Sequence, residues 1–381
     1  MSVGSVKRDP ERKTWYFVVD VRGADGRRHQ VFRRGFRTRA EAQEKLDQRR
    51  VAAAKGVLVD GTRSTVGEYL RDVWLPSLAS TVRPTTRDTY ERLVRAHIMP
   101  TLGPLRLQQL DRTHVRQWVD RLAGQMSPKS VRNVHGVLAK ALTDAVDLRL
   151  IDGNVASRTK LPSVERGAPR AWSAGQLRAF LEHVAGDRLY PLWRLIAMTG
   201  CRRGEALGLR WADVDVDEAT VAITHQRTIA GSHVVEGSPK TKAGARTVAL
   251  DAATVAALRA WRAQQSAERL FMGAGWPDTD LVFTHPDGGG LWPQNVTAKF
   301  RAIAQELELP LIGVHGLRHS AATWMIGSGV SPKLVQQRLG HADVSVTLGL
   351  YSHVMPGHDH DAAEALAKAV ASSRRDSVIK P

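Results

Sequence analysis

The apolar positions change period several times along the chain, and each change marks an element. Thr14 to Arg22 (TWYFVVDVR) is a run of aromatic and β-branched residues, the composition of a strand. Ala24-Asp25-Gly26 supplies a turn, and Arg28 to Arg33 returns as a second strand. Thr38 and Glu41 form a capping box, in which a hydroxyl and a carboxylate each satisfy a free backbone N–H, and this predicts a helix to about Lys55. From residue 63 the pattern is helical. Thr65 and Glu68 form a second box ahead of Tyr69, Leu70, Val73 and Leu75. Thr85 or Thr86 opens another helix, which ends near Met99-Pro100 and Gly103, and a third covers about 112–123. Ser127-Pro128 starts a fourth, because proline is pre-organised for the first helical position. Along it Val131, Val134, Leu138, Leu142 and Ala145 recur at helical spacing and read as core. Residues 152–170 lose the period and mix Gly, Pro, Ser and basic residues, as a linker does. A third box, Ser173 with Gln176, opens a larger α+β region. Near its end Ala362 to Val370 reads as a helix, and the tail after Ser372 as loose.

Charge narrows the picture. The 381 residues hold 55 Lys and Arg against 38 acidic residues, a net charge of +17. Such a surplus points to a polyanionic partner: DNA, RNA or an anionic membrane surface. The plain alternative is a basic but otherwise ordinary enzyme. Residues 1–62 carry 15 basic and 8 acidic residues, so a small sheet with one helix is built there to touch phosphates, unless the charge only solvates an accessory domain. Arg83, Arg87, Arg92, Lys129, Arg132 and Lys140 are candidates for a DNA-facing side of the helical block, or plain surface. The single cysteine, Cys201, excludes an intrachain disulfide and fits a reducing compartment. No secretory signal and no stretch of about 20 apolar residues stands out, so a soluble chain inside the cell, in the cytoplasm and with no membrane partner, is expected.

Four short clusters carry candidate chemistry. In Thr199-Gly200-Cys201-Arg202-Arg203-Gly204-Glu205 an arginine follows a glycine turn, and Glu205 lies three residues later on the same helical face. That arrangement suits phosphate recognition, or a structural ion pair. In His315-Gly316-Leu317-Arg318-His319 a helix places His315 and Arg318 on one face. His315 and His319 have zinc-ligand spacing, but the second position is Gly316 and no third ligand suggests itself, so no metal is expected. Leu339-Gly340-His341 and Tyr351-Ser352-His353 complete the set. Tyr351 is one of five tyrosines and by itself would mean little.

Taken in order, Arg202 with Glu205, His315-x-x-Arg318, Leu-Gly-His341 and Tyr351 ten residues later resemble the tyrosine recombinases, the lambda-type phage integrase family, in its three-domain arm-binding form. The resemblance covers the whole chain. It implies a multidomain α+β protein: a small N-terminal three-stranded sheet plus helix that binds arm-type DNA (1–62), a helical, SAM-like core-binding domain (63–155), a linker (156–170), and a mainly α catalytic domain with a small β-sheet (171–381). The family also uses a lysine on a β-hairpin. Lys240 of Ser238-Pro239-Lys240-Thr241-Lys242 matches best, with Lys242 as fallback; either could also be an exposed turn cation.

The resemblance implies a site-specific integrase that joins DNA through a 3′-phosphotyrosine on Tyr351. Arg202 and Arg318 would clamp the phosphate, His315 would act as base, Lys240 as acid and His341 as hydrogen-bond donor, with Glu205 holding Arg202. Neither cofactor nor ATP is implied. The implied partners are double-stranded DNA attachment sites, three further copies in a tetramer, and an excisionase or host DNA-bending protein, in a bacterial nucleoid. The 362–370 helix would pack on a neighbouring protomer or on its own domain. Cys201 stands where leucine or methionine is common and reads as packing. A type IB topoisomerase-like enzyme and a catalytically idle DNA-binding regulator are the rival readings.

Overall fold

The computed structural model describes residues 4–10, 14–22, 28–54, 64–164, 171–239 and 241–343. The sequence-predicted turn at 24–26, Lys240, Tyr351 and the 362–370 helix lie outside them. The chain divides into two compact units, residues 1–165 and 166–381.

The first unit opens with an antiparallel sheet in the order β1-β2-β3 (Gly4–Arg8, Trp15–Arg22, Arg28–Phe36), followed by helix α1 (Arg39–Ala54). Phe17 points inward from β2, stacks on Phe36 at 5.6 Å and packs with buried Leu46 of α1. The Thr38 hydroxyl accepts from the Glu41 N–H at 3.1 Å, as expected, but the Glu41 carboxylate accepts from Arg37 N–H, one residue upstream of the predicted partner.

The helical part has its own core. The Thr65–Glu68 box forms in both directions. Just after it, Tyr69–Trp74 winds as wide π-helical turns, which slide the buried face along: Tyr69, Leu70 and Trp74 are buried, whereas Val73 faces solvent. Two polar tips are satisfied inside, Tyr69 Oη donating to Ala141 O at 2.8 Å and Trp74 Nε1 to Asp144 Oδ2 at 2.7 Å. Helix α2 (Pro84–Leu93) starts at Pro84 without a side-chain cap, so proline at the first turn replaces the threonine start expected at Thr85 or Thr86. Helix α3 is Arg112–Ala123, and α4 is Pro128–Asp147, capped by Ser127 and burying all five positions of its predicted stripe. Ordered packing runs beyond 155: Ala156 is fully buried and its carbonyl meets His135 Nε2 at 3.1 Å. Candidate DNA-facing cations here also have protein partners: Arg132 donates to Pro162 O (2.8 Å) and Lys140 pairs with Asp144 (3.8 Å).

The second unit surrounds an aromatic core in which Trp172, Phe180, Trp193 and Phe300 have ring centroids 5.2–6.0 Å apart. Helix α5 (Ala174–His183) starts at the predicted Ser173–Gln176 box. Helices α6 (Tyr190–Thr199) and α7 (Arg203–Leu207) follow, then an antiparallel sheet β4-β5-β8 (Val214–Asp215, Thr220–Ile223, Arg246–Ala249) and a separate hairpin of β6 (Gln226–Ala230) and β7 (His233–Gly237). Four further helices are α8 (Ala252–Met272), α9 (Pro293–Glu306), α10 (Val314–Gly327) and α11 (Pro332–Leu339). Among the described residues β8 takes its ladder from β5, not β7, so the stretch between Gly237 and Arg246 connects two sheets. No helix among the described residues is long and apolar enough to cross a membrane.

Candidate active site

Two glycines end the helices that frame the site. Gly200 closes α6 in the left-handed region (φ 65°), where a Cβ would also come within 2.5 Å of Leu339 Cδ2. Gly340 closes α11 in the same way (φ 68°), with Ala243 O only 2.6 Å from its virtual Cβ. Each glycine carbonyl takes an arginine: Arg318 Nη1 donates to Gly200 O at 2.9 Å, and Arg202 Nη2 to Gly340 O at 3.3 Å.

Arg202 is the N-cap of α7, and Glu205 is the third residue of that helix. The Glu205 carboxylate is 1% exposed; its Oε1 accepts from Arg202 Nη1 at 2.6 Å, and its Oε2 from the Arg202 backbone N–H at 2.9 Å. A second guanidinium, Arg246 of β8, reaches Oε2 at 3.0 Å. Burial alone would raise the pKa of this carboxyl, but the hydrogen bond and charge of Arg246 and the contacts from Arg202 outweigh it and hold the pKa below the ordinary value.

Arg318 comes from α10 and is 2% exposed. Its Nη2 is buried and meets no hydrogen-bond partner among the described residues. Loss of water and the neighbouring Arg202 push its pKa down to about 9. His315 precedes it by one helical turn and meets His319 edge to face, with centroids 4.9 Å apart. His315 is pushed down to about 4, first by loss of water and then by the charges of its neighbours, among them Arg318 and Arg202. His315 is nonetheless an exposed residue, which moderates the share due to lost water. His341, the residue after Gly340, is likewise depressed to about 4 by burial and by Arg318 and Arg202. Both imidazoles are therefore neutral near pH 7.

The structure thus brings Arg202, Glu205, His315, Arg318 and His341 into one cluster. Lys240 and Tyr351 lie outside the described residues, as does the Lys242 side chain; the Lys242 backbone belongs to a short 3-10 turn, Lys242–Gly244. Cys201 is buried in the core of this unit, and burial raises its thiol to about 11. Arg246 was missed from sequence. The available signal was its strand register, because residue 246 shares the inward face with buried Val248. Among the described residues no group of three His, Cys, Asp or Glu could hold a metal ion.

Three guanidiniums around one carboxylate, with neutral imidazoles beside them, form a cationic cluster suited to a phosphate and to proton transfer. Comparison with known proteins agrees. Residues 174–358 match the phage integrase family, 65–123 its N-terminal SAM-like domain, and 5–51 an arm DNA-binding domain. A tyrosine recombinase XerC-like protein of Caldanaerobacter subterraneus is 27% identical, covering 93% of this chain and 96% of its own. The tyrosine recombinase XerC of Mycobacterium bovis is 30% identical, covering 65% of this chain and 80% of its own. In fold, the chain is similar to the Tn1549 transposon integrase in complex with a circular intermediate DNA (TM-score 0.67, 20% identity, 80% of this chain and 99% of that one). The chain belongs to the phage integrase family, the tyrosine-type site-specific recombinases. The expected fold class is the one found.

Proposed function

We propose that this cluster cuts and rejoins DNA strands at attachment sites of a phage or integrative element, with Tyr351 as nucleophile. A phosphodiester resists attack because its negative charge repels nucleophiles, so catalysis rests on positioning and charge neutralisation. Arg202 and Arg318 take the two non-bridging oxygens, and their grip strengthens as charge builds on the five-coordinate phosphorus. Tyr351 attacks phosphorus, the P–O bond to the 5′ oxygen breaks, and a 3′-phosphotyrosine remains. Free tyrosine holds its proton to about pH 10, and neutral His315 is the group suited to receive it. Lys240, or Lys242 in its place, gives a proton to the leaving 5′ oxygen. His341 donates a hydrogen bond to the phosphate, and Glu205 keeps Arg202 aimed. A second strand's 5′ hydroxyl then attacks the phosphotyrosine and reverses these steps, so the bond energy is kept and no ATP enters.

The observation that carries this reading is the buried Arg318, whose Nη2 has no partner among the described residues, beside an Arg202 whose carboxylate partner is shared with Arg246. In this reading residues 1–62 engage arm-type sites, 63–155 the core site and 171–381 the scissile phosphate. The working form is a tetramer on two DNA sites, with direction set by an excisionase or host DNA-bending protein, in a bacterial cytoplasm. The test is a trapping assay on nicked attachment-site duplexes. Wild type should give a denaturant-resistant protein–DNA adduct and Tyr351→Phe none. Absence of an adduct on a site that the protein binds would overturn the proposal.

A further inference from the structure

The Arg202 guanidinium is held by two acceptors, Glu205 Oε1 and Gly340 O. A single residue stands behind both. Arg246 donates from Nη2 to the other oxygen of Glu205 (3.0 Å), from Nε to the carbonyl of Arg338 in the last turn of α11 (2.6 Å), and from Nη1 to Gly244 O (2.8 Å). Gly340 rests directly on it, for a Cβ there would lie 3.0 Å from Arg246 Nη1. The Arg246 side chain is 7% exposed. The planar fork of arginine spreads its donors over three nitrogens and so reaches three separated acceptors, whereas the three donors of lysine all sit on one nitrogen.

We propose that Arg246 is a positioning residue of the phosphate clamp: it fixes the free oxygen of Glu205 and the end of α11 in one register, and so aims Arg202. This rests on the clamp reading above and deepens it. Arg338 offers a matched structural comparison. Its side chain also ties α11 to β8, Nη2 donating to Ala249 O at 3.0 Å, whereas the side-chain hydrogen bonds to Glu205 among the described residues come from Arg202 and Arg246.

The experiment compares adduct formation on two core duplexes. One has an ordinary scissile phosphodiester. The other has a methylphosphonate, in which a methyl group replaces one non-bridging oxygen and removes the negative charge. A protein whose defect lies in the clamp needs that clamp less on the neutral substrate. Arg246→Gln should slow adduct formation roughly 10- to 100-fold on the phosphodiester, the scale of a displacement of about 1 Å at a reacting centre. On the methylphosphonate its loss should shrink below about threefold, following Arg202→Ala, with core-site affinity kept within about threefold. Arg246→Lys, which keeps a cation opposite Glu205, should fall between Gln and wild type, and it carries the comparison if the Gln variant does not fold. Arg338→Gln should lose equally, or not at all, on both substrates. Equal losses for Arg246→Gln on both duplexes would reduce Arg246 to scaffolding, and wild-type rates on both would remove any role; either overturns the inference. Should Arg202→Ala gain nothing from the neutral substrate, the clamp reading falls first and takes this inference with it.

Discussion

Replacing Glu205 by glutamine tests the centre of the site with almost no change of shape. The carboxylate accepts three hydrogen bonds, two at Oε2 and one at Oε1. A glutamine amide has one oxygen, so its NH2 group must face either Arg202 Nη1 or Arg246 Nη2, donor against donor. The substitution also leaves Arg202, Arg246 and Arg318 without the one negative charge that they surround. Breaking a buried ion pair costs about 3–5 kcal/mol. The Arg202 side chain is 37% exposed and its share is screened, whereas that of Arg246 is 7% exposed and its share is not. The lower end, about 3 kcal/mol, follows, and in a unit of about 200 residues it lowers the melting temperature by roughly 6–12 °C. Calorimetry of both proteins reads this directly. The pH dependence has a fixed sign. The folded carboxyl is held below its ordinary 4.5, so its stabilisation is complete above that value and is lost as pH falls through the folded pKa. The gap between the two proteins should therefore close in acid. A glutamine variant that melts with wild type at neutral pH, or a gap that widens in acid, would refute the reasoning.

Gly200→Ala forces a Cβ into a left-handed backbone and against Leu339, which should cost about 2–4 kcal/mol and turn the carbonyl that holds Arg318; denaturant unfolding and the trapping assay check both. His315 and His341 are pushed from 6.5 to about 4, so the unfolded chain takes up their protons first and stability should fall as pH drops from 6.5 towards 4; replacing both by asparagine should flatten melting temperature against pH over that window. Deleting residues 1–62 should weaken binding to accessory sites, measured by gel shift, and leave adduct formation on a minimal core duplex intact.

The residues read most directly from sequence are those whose signal is local. Ser173 with Gln176, Ser127 before Pro128, and Arg202 with Glu205 declare themselves within three residues, because caps and helical faces are set by near neighbours. What stays hidden depends on distant chain. Arg246 acquires its meaning only when Arg338, 92 residues on, presents a carbonyl to it. The partner of β8 is illegible for the same reason, since an alternating strand does not name its neighbour. Val73 falls on the solvent side because π-helical turns break the 3.6-residue period that pattern reading assumes.

The glycine carbonyls that seat Arg202 and Arg318 have a consequence for the chain during its synthesis. Arg202 waits for Gly340, 138 residues downstream, and the Gly200 carbonyl waits for Arg318, 118 residues downstream. A chain released from the ribosome before α11 holds Arg202, Glu205 and Arg246 but lacks the carbonyls of Arg338 and Gly340 that anchor them. Long-range closure of this kind comes late in folding. Under the proposed phosphate-clamp reading, termination ahead of α11 therefore yields a fragment in which the clamp is not assembled, and strand breakage waits for α11.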